Sequence, residues 1–244
     1  MMRQNGPSDL VQFNQRNRDR WVAGIAERLP PGTRILDVGA GECRYRSLFG
    51  HCDYKAQDFG KYEGTSRGLL SETWKYAQLD FVCDASAIPV DDGGFDAVLC
   101  IELLEHVPEP IKVLKEIGRI LKAGGWAFIS APLGSGLHQQ PFHFYGGFTP
   151  HFYRHFLGEL GFEVVSITPN GRFFRMLLQE MNRGMDIVQS HRRFPRLHPA
   201  RWLLRAASSD YIARWISRLD DEIPIDEFTV GYHVEALKCV GGKP

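Results

Sequence analysis

Between residues 33 and 165 the chain repeatedly passes from a short β-branched run through a turn into a segment of helical period. That alternation commits it to a sheet with helices on its faces. Arg34-Ile35-Leu36-Asp37-Val38 leads the series, and 54–57, 81–83, 95–100 and 126–130 read as strands two to five. Between the fourth and fifth, Ile111, Leu114, Ile117, Ile120 and Leu121 recur at three- and four-residue spacing, a single apolar helix stripe ending at Gly124-Gly125. A leading helix is expected over 12–29, another over 151–160, and a sixth strand over 162–167. The run 229–240 reads as a final strand, expected to pair with the sixth as an antiparallel edge. The predicted architecture is one α/β domain over 1–244: a helical segment (1–32), a core (33–168), a helical insertion (170–228) and the last strand (229–240).

Charge narrows the partners. Lysine plus arginine (29) balances aspartate plus glutamate (29) over 244 residues, so no net field favours nucleic acid, which is expected not to be a partner. No run reaches the 18 or so apolar residues of a membrane span, and the first twenty residues lack the apolar core of a signal peptide, so a cytoplasmic protein is expected. Cys43, Cys52, Cys83, Cys100 and Cys239 form no C-x-x-C pair, and three of them sit in or beside apolar runs, which argues against disulfides and a zinc knuckle. Within the insertion, eight arginines between 172 and 205 precede six acids between 210 and 227. Such halves pair internally, face a partner subunit, or meet an anionic substrate. The insertion's apolar residues, among them Met176, Leu177, Leu178, Trp202, Trp215 and Ile216, pack on the domain or form a homodimer contact.

The first strand runs into Asp37-Val38-Gly39-Ala40-Gly41-Glu42-Cys43, a glycine turn that lets a ligand approach the main chain. A dinucleotide fingerprint needs its third glycine at position 44, where Arg44 stands, so nicotinamide chemistry is disfavoured. Asp58 follows Asp37 by 21 residues, at the end of the second strand, where a carboxylate accepts from ribose hydroxyls. Asp84 ends the third strand, placed to accept from an adenine amino group.

With these residues in view, the chain resembles the class I S-adenosylmethionine-dependent methyltransferases, in the subgroup with an L-E-H-V signature. The matching stretches are Ile35 to Gly41, Cys83-Asp84-Ala85-Ser86-Ala87-Ile88-Pro89, Phe95-Asp96-Ala97-Val98 with Leu104-Glu105-His106-Val107, and Leu121-Lys122-Ala123-Gly124-Gly125. Cys43 departs from the family where a third glycine is frequent, and Ala123 where proline is. The resemblance implies a Rossmann-like, mostly parallel seven-stranded sheet with an antiparallel last strand. It also implies S-adenosylmethionine across the strand ends: Asp37, Gly39, Ala40 and Gly41 around the methionine part, Asp58 and Phe59 at the ribose, Asp84 and Ala85 at the adenine, and Ile101 at the methionine.

Methyl transfer is displacement at an activated carbon, so the protein contributes alignment and water exclusion. A hydroxyl acceptor also needs a base, for which His106 and His143 are the candidates. Glu102-Leu103-Leu104-Glu105-His106 further resembles the E-x-x-E-H element that, with a later histidine, binds a divalent metal in small-RNA 2′-O-methyltransferases, and is similar to ubiquinone-pathway catechol O-methyltransferases. The implied ligands of Mg²⁺ or Mn²⁺ are Glu102, Glu105, His106 and His143; the alternative is that these residues cap and pack the loop. O-methylation of a small-molecule acceptor is the leading reading. The alternatives are a non-catalytic cofactor-binding protein that uses the insertion as a partner surface, and methylation of RNA or a glycan.

Overall fold

The computed structural model describes residues 13–63, 75–190, 199 and 210–241. Its strands are Arg34–Val38 (β1), Asp53–Asp58 (β2), Phe81–Val82 (β3), Phe95–Ile101 (β4), Leu121–Pro132 (β5), Phe162–Pro169 (β6) and Gly231–Lys238 (β7). They form one seven-stranded sheet in the order β3-β2-β1-β4-β5-β7-β6. The pairs β1/β2, β1/β4, β2/β3 and β4/β5 are parallel, and β7 runs antiparallel to β5. The helices are Phe13–Arg28 (α1), Pro110–Ile120 (α2), Pro150–Glu159 (α3), Phe173–Ser190 (α4) and Asp210–Glu222 (α5). This is the Rossmann-like sheet with an antiparallel last strand that the motifs imply. No described helix is long and apolar enough to cross a membrane.

Strands β1 and β4 are apolar on both faces because both faces are covered. Leu36, Val38, Val98 and Cys100 enter one core with Val113, Leu114, Ile117 and Ile120 of α2. Ile35, Ala97 and Leu99 enter the opposite core with Val22 and Ile25 of α1. Each such fully buried Leu or Ile contributes roughly 1.5–3 kcal/mol relative to exposure. The chain lays β2 on one side of β1 and β4 on the other, so the winding reverses there and leaves a crevice at the strands' carboxyl ends.

Two expectations change. The last strand neighbours the sixth as expected, but it also pairs with β5, in register from Trp126↔Leu237 to Pro132↔Gly231, so β6 and not β7 is the outermost strand. The physical reason is that Tyr232, Val234 and Ala236 enter the α2 core while His233 stacks on Trp21 at 4.6 Å on the other face; β7 is covered on both sides and β6 alternates. The fifth strand also begins at Leu121, not 126, because the ladder to β4 starts at Phe95↔Leu121 across an irregularity, and α2 stops at Ile120 before the glycines. All five cysteines are free.

The chain divides into two compact units. Trp21–Thr168 with Gly231–Pro244 holds the sheet and both cores. In the other, Met1–Arg20 with Pro169–Val230, α4 and α5 pack through Leu178, Ala213 and Ile216. There the fully buried Asp220 of α5 accepts the amides of Arg172 (2.8 Å), Phe174 (2.8 Å) and Arg175 (3.2 Å), capping the start of α4. Arg172 pairs with Asp226 at 2.5 Å and Arg175 with Asp221 at 3.2 Å across the two halves, while Arg183 pairs with Glu180 within its own half at 3.4 Å. The other five arginines, 192, 193, 196, 201 and 205, and the apolar Trp202 lie outside the described residues.

Candidate active site

The turn after β1 is built by hydrogen bonds from β2. The amides of Gly39 and Ala40 both donate to the Gln57 carbonyl at 2.9 Å, and the Gly41 amide donates to Asp58 Oδ2 at 3.0 Å. Gly39 has φ +75°, a conformation that strains any side chain, and a Cβ there would lie 2.8 Å from Leu103 Cδ1, which would have to move aside. Cys43, where the family often has glycine, is held at φ +51°, the left-handed region glycine adopts freely. Its side chain is buried, with the Arg46 guanidinium 3.6 Å from Sγ.

Two buried carboxylates flank this turn. Asp37 accepts from the Tyr54 hydroxyl at 2.5 Å, and burial pushes its carboxyl up to about 6, the charge of Asp58 adding to the effect. Asp58 accepts from the amides of Gly60 and Gly41, each at 3.0 Å, and burial still raises its carboxyl above the usual range. The pair therefore makes a place where positive charge is stabilised. The third strand end follows in the ladder, since the Cys83 amide donates to the Asp58 carbonyl at 3.1 Å. There Ala85 is buried, while the exposed Asp84 accepts from the amide and hydroxyl of Ser86, both at 2.8 Å. Half-buried Ile101 ends β4.

The segment after β4 and the loop after β5 bring three histidines together. The ring of His106 lies 4.8 Å from that of His138 and 5.8 Å from that of His143, and the latter two are 4.5 Å apart. His106 Nδ1 is 2.6 Å from the Phe142 carbonyl. A carbonyl only accepts, so the proton sits on Nδ1 and the lone pair on Nε2, 3.6 Å from Oε1 of the buried Glu105. By the same argument His138, with Nδ1 2.9 Å from the Gly136 carbonyl, carries its lone pair on Nε2 when neutral. Burial lowers the His106 imidazole to about 4 against the opposing pull of the Phe142 carbonyl, and burial also lowers His143.

Of the expected metal ligands, the structure converges Glu105 and His106 with His138, whose ligand atoms all lie within 4.8 Å of one another. Glu102 turns aside, its Oε1 accepting from the Ser130 hydroxyl at 2.5 Å, and His143 Nε2 lies 3.0 Å from the Ser135 hydroxyl. His138 escaped sequence reasoning; its one signal was being a second histidine on the loop that carries His143. Among the loop's aromatic residues Phe148 is core, as is Tyr153 in the following α3, while Phe144 and Tyr145 are exposed.

The family described as "Methyltransferase domain" matches residues 11–207 of this chain. The chain belongs to that family. This methyltransferase is 26% identical to the sarcosine/dimethylglycine N-methyltransferase of Halorhodospira halochloris over 228 residues, 86% of this chain and 76% of the relative. It is 32% identical to the ubiquinone biosynthesis O-methyltransferase of Bordetella avium over 124 residues, 46% of this chain and 48% of the relative. It thus spans about half the length of the ubiquinone enzymes it matches. Among solved structures, the [4+2]-cyclase SpnF superposes with TM-score 0.56 at 21% identity, covering 93% of this chain and 83% of that one. A phosphoethanolamine N-methyltransferase of Haemonchus contortus in complex with S-adenosylhomocysteine superposes with TM-score 0.53 at 18% identity, covering 92% and 53%. Fold and family together make the chain an S-adenosylmethionine-dependent methyltransferase.

Proposed function

We propose that this methyltransferase methylates a hydroxyl of a small-molecule acceptor. The cofactor would be held by the turn from Asp37 to Gly41, by Asp58 and Phe59, by the Asp84-Ala85 turn and by Ile101. The fit is supported by the positive-φ glycine turn at Gly39, which presents bare backbone at the strand end, and by the two buried carboxylates, which suit a cationic ligand. When bound, S-adenosylmethionine supplies a methyl group on positive sulfur, which leaves alignment and water exclusion to the protein.

The observation that carries the oxygen reading is the His106 imidazole, neutral and fixed with its lone pair on Nε2. A hydroxyl that takes the methyl group must lose its proton, and Nε2 of His106 is the atom that would accept it. His143 is the second imidazole at the same place.

A divalent ion is the alternative to that base, because it would take the same Nε2 lone pair of His106. Glu105, His106 and His138 would hold it, both imidazoles being anchored through Nδ1 on backbone carbonyls as ligating histidines are. Such an ion supplies Lewis-acid activation of an acceptor hydroxyl, and two imidazoles with one carboxylate suit Mn²⁺ better than Mg²⁺.

The test is isothermal titration with S-adenosylhomocysteine and Mn²⁺, followed by a screen of hydroxylated and amine acceptors for S-adenosylhomocysteine release. Cofactor binding and release with hydroxylated acceptors are expected. Release with amines alone would overturn the oxygen reading, and an Mn²⁺ affinity unmoved in Glu105→Ala would overturn the metal.

A further inference from the structure

The cofactor side and the acceptor side of the site belong to segments far apart in sequence, and one ring contact bridges them. Phe59 directly follows Asp58, the residue whose carboxylate holds the Gly41 amide. Its ring meets that of Phe142 edge to face, centroids 4.9 Å apart at 87°. Phe142 in turn offers its carbonyl to His106 Nδ1 at 2.6 Å and donates its own amide to the Gln139 carbonyl at 2.9 Å. Two residues on, the amide of Phe144 donates to the Glu105 carbonyl at 2.8 Å. The same residue therefore touches the cofactor wall through its ring and sets the His106 tautomer through its backbone.

We infer that Phe142 is a positioning residue that couples the cofactor half to the acceptor half: its ring docks on Phe59, and its carbonyl thereby aims the lone pair of His106. The inference rests on the cofactor reading given above. Its physical content is that the carbonyl cannot shift without moving a ring packed edge-on to another, and an aromatic pair of this geometry resists that displacement. Whatever fixes Phe59 beside an occupied ribose site fixes the imidazole too. The expected order of events is cofactor first, acceptor second, with Phe142 carrying the effect.

The experiment follows the His106 ring ¹⁵N resonances in the full chain, assigned by their loss in His106→Gln, during titration with S-adenosylhomocysteine. In the unsubstituted protein the ring shows the Nδ1–H tautomer, and its resonances move as the ligand saturates. In Phe59→Ala and in Phe142→Ala, which keeps its carbonyl, the ligand still binds, about three- to tenfold more weakly, and the His106 resonances no longer follow it. Phe142→Tyr, which keeps the ring, restores the response. Movement that persists in both alanine variants overturns the inference, as does binding to the unsubstituted protein with no movement at all. If the unsubstituted protein binds no S-adenosylhomocysteine, the cofactor reading falls and this inference with it, an outcome the calorimetry distinguishes from the others.

Discussion

The turn after β1 and the loop after β5 both deliver polar groups to the carboxyl edge of the sheet, by opposite means. In the turn, the backbone is clamped by Gln57 and Asp58, and the groups presented are two buried acids whose ionisation burial resists. In the loop, backbone carbonyls hold imidazoles, and burial keeps His106 uncharged. One half favours a cation and the other offers lone pairs, the division of labour that the proposed sulfonium donor and hydroxyl acceptor would need.

The sharpest way to break the comparison is to disable one half while the other works. His106→Gln is expected to slow turnover about 10²–10⁴-fold while lowering S-adenosylhomocysteine affinity by no more than the roughly three- to tenfold expected of Phe142→Ala; a larger loss by calorimetry would mean that His106 itself builds the cofactor half. Next is Asp37→Asn. Since the folded carboxyl is raised from 3.8 to about 6, the folded chain binds that proton more tightly than the unfolded one. The charged form therefore opposes folding: the penalty is absent below 3.8, grows as pH rises to about 6, and is complete above it. Two units at 1.36 kcal/mol each put that penalty on the order of 3 kcal/mol. The substitution is expected to remove this slope from melting temperatures measured between pH 4 and 7, and to make the cofactor-free protein more stable at neutral pH. It is also expected to weaken S-adenosylhomocysteine binding, which in the unsubstituted protein should strengthen as pH rises through about 6.

Gly39→Ala tests the turn without touching charge. It places a Cβ 2.8 Å from Leu103 in a left-handed backbone, and a stability loss of about 1–3 kcal/mol should appear in denaturant titration together with weakened cofactor binding. Smallest at the site is Asp220→Ala, which removes the cap on α4. A loss of about 1–2 kcal/mol with unchanged cofactor affinity is expected, and a change in affinity would tie the insertion to catalysis.

The sequence announced the turn half more completely than the loop half, for a physical reason. Strand β1 and its glycines obey local rules: two covered faces demand an apolar run, and the positive φ of Gly39 demands glycine. The acids at 37 and 58 stand at strand ends that periodicity alone locates. The partners of the loop half are set by path instead of period. His138 joins Glu105 and His106 because of how the stretch 133–148 folds back, and Glu102 leaves the group because Ser130, in the neighbouring strand, captures it. The place of β7 was hidden for a similar reason: a strand's composition tells how many of its faces are covered, but not which neighbours cover them.

That place has a consequence for the chain during its synthesis. Strands β5 and β6 leave the ribosome before the strand that will join them, and the whole 170–228 stretch must be made before Gly231 appears. Until then each has a row of backbone donors and acceptors unanswered by β7, the kind of open border through which nascent chains associate. A ribosome stalled ahead of Gly231 would display an unfinished sheet, and chaperone engagement of this protein should peak in that window and fall once Lys238 has emerged.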